Sequence, residues 1–265
     1  MEVRFLIQIG LCGWDSRSLY EPGIKGRDKL EIYSNIYSTV EVNSTFYNIP
    51  TLKTVEQWFL TTPADFRFSI KMNRLCSHDS RLILTSEVKE QLTRFVNHTS
   101  QLKEKLSWYL LQLPPSFTAD PIILDEFLTF LRATIKTASI HCGIAVEFRH
   151  SSWYHPFALD ILQTHQASQV ISSSFQKWPC SWVKQAQPNY IRLHGLHQMY
   201  RSAYSESELK KLFHWIIESE ADQSWVYFDN TATSSAKENS QYLMTLFGQT
   251  VPDQTTQLDM NLPIN

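Results

Sequence analysis

The chain has 265 residues, 43% of them hydrophobic and 13% aromatic, with a formal net charge of −2. That length and apolar content suffice for one large core, and the near-neutral charge with dispersed Lys and Arg speaks against nonspecific nucleic-acid binding. Only 7 residues are Gly, and neither a Gly-x-Gly-x-x-Gly string nor a P-loop occurs, so dinucleotide and P-loop nucleotide binding lose their main sequence support.

Cys12, Cys76, Cys142 and Cys180 lie far apart and form no Cys-x-x-Cys pair. They read as free thiols of a reducing compartment rather than as zinc ligands. No stretch approaches the ~20 apolar residues of a membrane span. The N-terminus lacks the apolar run of a signal peptide. A cytoplasmic protein without a membrane partner is therefore expected.

Eight short β-like runs are predicted, at 5–11, 39–43, 66–71, 107–113, 143–148, 168–173, 189–194 and 224–229. Some, such as Trp108-Tyr109-Leu110-Leu111, are continuously apolar, as strands buried on both faces of a parallel sheet are. Helices are predicted between them. Residues 28–37 and 53–60 are short. Residues 86–104, starting at Ser86, carry Val88, Leu92, Phe95, Val96 and Leu102 at helical spacing. Residues 120–138 open on Asp120-Pro121, an N-cap followed by a first-turn proline. After 155–166 comes 205–220, where Ser205 and Glu208 fit a capping box, and then 235–247. Residues 175–187 read mostly as loop. Residues 249–265 are polar and aperiodic and read as a mobile tail after a single domain, 1–248.

Eight strands alternating with helices over about 250 residues predict an α/β fold, the (β/α)8 TIM barrel. An open doubly wound sheet is the alternative, but it would gather polar residues at one switch point. Here they recur at the ends of many strands.

Three strands end in polar pairs: Glu41 with Asn43, Glu147 with Arg149, and Arg192 with His194. Alternate strand residues share a face and stand about 6.6 Å apart. Charges where a strand leaves the core must be paired or functional. Three such pairs point to one polar site. Lys71, His78, Gln112, His150 and Asn230 fall at the same strand ends, where TIM-barrel enzymes keep their active sites.

Each residue has a chemical and a structural reading. Glu147 and Glu41 suit a general base or a metal ligand, or ion pairs with Arg149 or Arg192 that close the barrel. Lys71 suits an anionic group or an enolate-like charge, or a partner for Glu41. His194 suits an acid, a base or a ligand, or a satisfied core residue. Arg149 and Arg192 could clamp a phosphate or carboxylate. Asn43, Gln112 and Asn230 are candidates to orient a ligand. The rings of Trp14, Tyr47 and Trp153 could stack on one or roof the barrel. Glu41, Glu147, His78 and His194 could bind a divalent metal if they converge, but no His-Glu-x-x-His or similar spacing supports that, and no metal ligand is assigned.

The strings also run in a set order. Gly10-Leu11-Cys12-Gly13-Trp14 ends strand one, and Glu41-Val42-Asn43-Ser44-Thr45-Phe46-Tyr47 ends strand two. Phe68-Ser69-Ile70-Lys71, Leu111-Gln112-Leu113-Pro114-Pro115, Val146-Glu147-Phe148-Arg149-His150, Ile191-Arg192-Leu193-His194-Gly195 and Tyr227-Phe228-Asp229-Asn230-Thr231 follow. This set resembles the YecE-like family of bacterial and archaeal proteins, up to about residue 247. The resemblance implies a TIM barrel and no particular chemistry, because the family's activity is not established. Against the family pattern, Leu11-Cys12 replaces small or hydroxyl residues, Asp229 replaces an Asn, and Ser172-Ser173-Ser174 replaces an Asp at the end of strand six.

The expectation is an enzyme moving a proton on a small phosphorylated or carboxylated ligand. Glu147 or Glu41 would act with His194, and Lys71, Arg149 and Arg192 would hold the anion. A metal-dependent phosphodiesterase or nuclease and a non-catalytic binding protein are the alternatives.

Overall fold

The computed structural model describes residues 6–15, 19–20, 23–24, 26–174, 182, 185, 187–219 and 221–251. Eight parallel strands close into a barrel in sequence order. They are β1 Leu6–Cys12, β2 Thr39–Val42, β3 Arg67–Lys71, β4 Leu106–Gln112, β5 Gly143–Glu147, β6 Ser168–Ser173, β7 Asn189–Leu193 and β8 Gln223–Phe228. Helices α1 Gly26–Ser34, α2 Leu52–Thr61, α3 Ser86–Thr99, α4 Pro121–Thr137, α5 Pro156–Thr164, α6 Glu206–Glu218 and α7 Ser235–Leu246 connect them. The reading of 175–187 as loop falls largely on residues outside the described ones. No helix among the described residues is long and apolar enough to cross a membrane.

Strand alternation divides the apolar residues between two cores. On β4, Tyr109 and Leu111 join the large core under the helices, with Val146, Ile171, Ile191 and Val226 of other strands. Trp108 and Leu110 face the opposite way, into a second cluster with Ala145, Val170, Tyr190, Trp225 and Tyr227. This second cluster fills the barrel. Trp108 meets Tyr190 and Trp225 edge-on, at 5.5 and 6.1 Å between ring centres. Gly143 pairs with Trp108 across β4 and β5, and a Cβ there would stand 2.3 Å from the indole ring. The missing side chain is what lets the tryptophan lie inside. One layer higher, the Tyr227 hydroxyl bonds Thr39 Oγ1 at 2.8 Å and Ser69 Oγ at 2.6 Å.

Local signals account for most helix starts. Asp120 accepts hydrogen bonds from the N–H groups of Ile122 and Ile123, and Pro121 follows. Ser205 and Glu208 form the reciprocal capping box. The helix expected over 86–104 is shorter. It starts behind Thr85, whose hydroxyl accepts from Val88 N–H, and ends at Thr99. There the Thr99 hydroxyl turns back to the Phe95 carbonyl and to Tyr109, and Lys103 takes φ 50°. The start of the expected tail docks on the barrel: Gln249 Nε2 donates to the Ile7 carbonyl at 3.0 Å, and Val251 packs on the core. Residues 252–265 lie outside the described ones.

Gly143→Ala should lower stability by about 1–3 kcal/mol, the usual cost of overpacking. The drop would appear in the urea midpoint, and Trp108→Leu in the same chain should restore part of it.

Candidate active site

The inward residues above the aromatic floor are charged. Arg192, on β7, is completely buried at the centre of the barrel. Its Nε and Nη2 donate to Glu41 of β2, at 2.9 Å to Oε2 and 2.8 Å to Oε1. Its Nη1 donates to Glu147 Oε2 of β5 at 2.6 Å. Its Nη2 also reaches Asp229 Oδ2, just beyond β8, at 3.3 Å. One guanidinium thus joins three carboxylates from three strands.

The remaining carboxylate positions are engaged as well. Glu41 accepts from the Tyr190 hydroxyl at 2.8 Å and from the Cys12 thiol at 3.0 Å. Glu147 Oε1 accepts from Arg149 Nε and Nη2, at 3.1 and 3.0 Å, and lies 3.2 Å from His194 Nε2. His194 Nδ1 stands 2.8 Å from Asp229 Oδ2. Burial alone would raise the Glu147 carboxyl pKa, but Arg149 and Arg192 hold it well below its ordinary value. Asp229 is likewise lowered against burial, chiefly by Arg192 and then His194. The Cys12 thiol is pushed up by burial, Asp229 and Glu41, so it remains a donor.

This geometry assigns the residues expected from sequence. Glu41, Glu147, Arg149, Arg192 and His194 do come together. Arg192 is not an open clamp, because its N–H groups are directed at side chains inside the barrel. Glu147 is a poor base, because its lowered pKa and occupied oxygens both resist proton uptake. Glu41, Glu147 and His194 converge on a guanidinium rather than on an open point, and His78 stands elsewhere. Among the described residues no three His, Cys, Asp or Glu side chains are set to hold a metal ion.

Other expected residues lie outside the cluster. Asn230 is buried and donates to the Ser202 carbonyl and Asn239, tying two loops together. Trp153 is fully buried, stacked on Phe148 at 4.9 Å with its N–H on the Phe117 carbonyl, so it is core and not a ligand platform. His150 caps the turn Ser151–Trp153. Tyr47 is exposed beside Phe46. Asn43 and Trp14, with Cys12, Gly13, Asp15, Val42, Ser44 and Thr231, line a cavity of ≈ 330 Å³ at the ends of β1 and β2. Ser172 and Ser173 end β6 buried, and the third acid comes from β8 instead.

Residues 8–261 match the model of the family described as "Protein of unknown function DUF72". The chain belongs to the DUF72 family. It is 33% identical over 156 residues to UPF0759 protein YunF of Bacillus subtilis strain 168, covering 57% of this chain and 53% of that protein. It is 33% identical over 112 residues to UPF0759 protein YecE of Escherichia coli strain K12, covering 42% and 39%. The chain thus spans about half the length of the curated relatives it matches, or less. A DUF72 family protein of Enterococcus faecalis V583 superposes with a TM-score of 0.77 at 23% identity, covering 94% of this chain and 98% of that one, which shows a shared fold.

In this DUF72 chain a second group of polar residues stands at the end of β3. Thr45 donates through its hydroxyl to the carbonyls of Val42 and Lys71, joining the ends of β2 and β3. Phe46 follows, and Lys71 Nζ lies 4.5 Å from its ring centre. His78 packs edge-on against the same ring at 4.8 Å, and its Nε2 lies 3.4 Å from Gln112 Nε2. His78 rides on a single π-helical turn, Leu75–Asp79, a geometry frequent at functional sites. Next along the chain, Arg81 and Leu82 hold φ of 48° and 66° without being glycine. No hydrogen bond or ion pair holds the Lys71 ammonium among the described residues. Burial, then Arg192, push its pKa down to about 8, against the pull of Glu147 and Glu41. Burial, then Lys71, lower His78 to about 4.

Sequence reasoning missed Asp229, Tyr190 and Cys12 as members of the cluster. Tyr190 was within reach of the period-two rule, standing two residues before Arg192. Cys12 faces Glu41 in register across β1 and β2.

Removing the central cation would leave three carboxylates with less compensation. Arg192→Met should cost about 3–5 kcal/mol at pH 7. In the native chain Glu147 and Asp229 are lowered, so their contribution is present above the ordinary carboxylate range and is lost as pH falls through their folded values. In the variant Glu147 keeps Arg149, but Asp229 loses its largest opposing charge, so burial raises it and the fold gains on acidification. The gap in urea midpoint should therefore narrow between pH 7 and pH 5; a constant gap would mean that Arg192 acts only by packing.

Proposed function

We propose that this chain is an enzyme that moves a proton on a small phosphorylated or carboxylated ligand at the barrel mouth, with Lys71 as the proton-carrying group. The observation that carries this reading is the Lys71 amine: partly buried, held by no hydrogen bond or ion pair among the described residues, and with a pKa of about 8. A general base works best with a pKa near the working pH. Glu41, Glu147 and His194 do not offer this, because their polar atoms are engaged with one another and with Arg192. Their part is to fix the field in which Lys71 sits.

The charge at the mouth supports an anionic ligand. Lys71 and Arg149 set positive charge at the same end of the barrel; His78, neutral near pH 7, adds none. Gln112, beside His78, supplies a neutral donor and acceptor. Free Cys12, Cys76 and Cys142 are consistent with work in a reducing cytoplasm.

The test is solvent exchange. Small phosphorylated and carboxylated hydroxy and oxo compounds would be incubated with the protein in deuterium oxide and followed by NMR. Deuterium should enter a C–H position of at least one compound, at a rate rising with pH through about 8 as the amine loses its proton, and Lys71→Met should abolish it. Compounds that raise the melting temperature without exchanging would favour a binding protein instead.

Stability gives a second check. The folded pKa of Lys71 lies below its unfolded value, so protonation opposes folding. Lys71→Met should raise stability by about 3 kcal/mol at pH 7. That gain should shrink as pH rises from about 8 towards the ordinary lysine value of about 10.4.

A further inference from the structure

We propose that Lys71 forms a covalent imine with a small anionic aldehyde or ketone. This inference rests on the reading of the mouth as a site for small anionic ligands and gives Lys71 a second role with carbonyl ligands: bonded to the carbonyl carbon, it loosens the neighbouring C–H instead of taking that proton itself.

Among the described residues Lys71 and Lys105 are both drawn inward, and their surroundings differ. Lys105 Nζ donates to the carbonyls of Phe59 and Thr62 at 2.6 and 2.7 Å, and to Thr62 Oγ1 at 3.2 Å. Its three N–H groups are used to tie down the end of α2, so its role is structural. Lys71 Nζ has no such bonds, although it stands near three carboxylates. Glu41, Glu147 and Asp229 act on it only through space, because they are held by Arg192 and its neighbours. The face of the Phe46 ring covers one side of the amine. Arg149 and Arg192 oppose its protonation, and His78, on the same ring, is neutral. An amine that no hydrogen bond holds among the described residues, and that burial and Arg192 make easier to deprotonate despite the Phe46 face, is arranged as a nucleophile.

The step balances without an oxidant or reductant. Neutral Nζ attacks the carbonyl carbon, the C=O π pair moves to oxygen, and that oxygen takes a proton. The nitrogen gives up its protons to water, which returns them to the departing oxygen. The hydroxyl then leaves as water and C=N forms, so amine and carbonyl give imine and one water. Arg149 draws the anionic group of the ligand toward this end of the barrel.

The full chain would be incubated with glyoxylate, reduced with borohydride, and mapped by peptide mass. Glycolate, the same anion without the aldehyde, serves as the binding control. At pH 8 the reduced adduct should form at Lys71 about tenfold or more faster than at the exposed Lys53. Its formation should rise with a midpoint near about 8. Both anions should raise the melting temperature. Lys71→Arg should lose the adduct and keep stabilisation by glycolate. Stabilisation by glycolate with no adduct at Lys71 above that at Lys53 would overturn the imine and leave the anion site standing. No stabilisation by either anion, with no adduct, would overturn both.

Discussion

The barrel of this protein closes around a buried charge. Arg192 sits where the strands converge and pairs with carboxylates from β2, β5 and the end of β8. A guanidinium suits this place because its planar fork can serve several acceptors in one geometry and stays charged throughout the accessible pH range. A lysine could not reproduce the two-point grip on Glu41 while also reaching Glu147. The arrangement ties strands far apart in sequence to one point, so the register of the upper barrel depends on it. Below it, Trp108, Trp225, Tyr190 and Tyr227 fill the interior, so a ligand has to approach from the mouth.

This network decides which residues are chemically open. Carboxylates that accept from arginines, a tyrosine and a thiol have little capacity left to take a proton. Lys71, at the rim, is close enough to feel both the arginines and the acids yet bonded to none of them. The contrast with Lys105 is direct. Both lysines have lowered pKa values through burial, but only Lys105 is matched to hydrogen-bond acceptors. A perturbed pKa alone would not separate them; the bonding around the nitrogen does.

The fold was largely legible in the sequence because a parallel barrel repeats one simple pattern. All eight predicted strands fall within one residue of the observed ends, and the Asp120-Pro121 and Ser205/Glu208 signals mark real helix starts. The end of α3 was hidden because apolar spacing continues to Leu102, while the break depends on the tertiary contact between Thr99 and Tyr109. The convergence of Glu41, Glu147, Arg192 and His194 was legible from the strand-end pairs. Their roles were not, because spacing along one strand says which residues share a face and nothing of which partner fills each lone pair. Asp229 stands one residue past β8, and its place opposite His194 is a fact of barrel closure. Trp153 and Asn230 look like mouth residues by position, yet one is stacked in the core and the other binds two loops.

The loop after β3 shows how the rim is held. A π-helical turn followed by two non-glycine residues in the left-handed region costs on the order of 1–3 kcal/mol per strained residue. Leu82 is buried despite that conformation, which is how packing over-determines the turn. The turn sets His78 against Phe46 and next to Gln112, on the ring that also covers Lys71. A barrel needing only closure could connect β3 to α3 without this strain. Strain, a partly buried amine with no hydrogen bond or ion pair among the described residues, and an imidazole kept neutral by burial and by that amine occur together at one strand end. The turn strain and the desolvated amine both oppose stability near pH 7, and the packing of Leu82 holds the first of them in place.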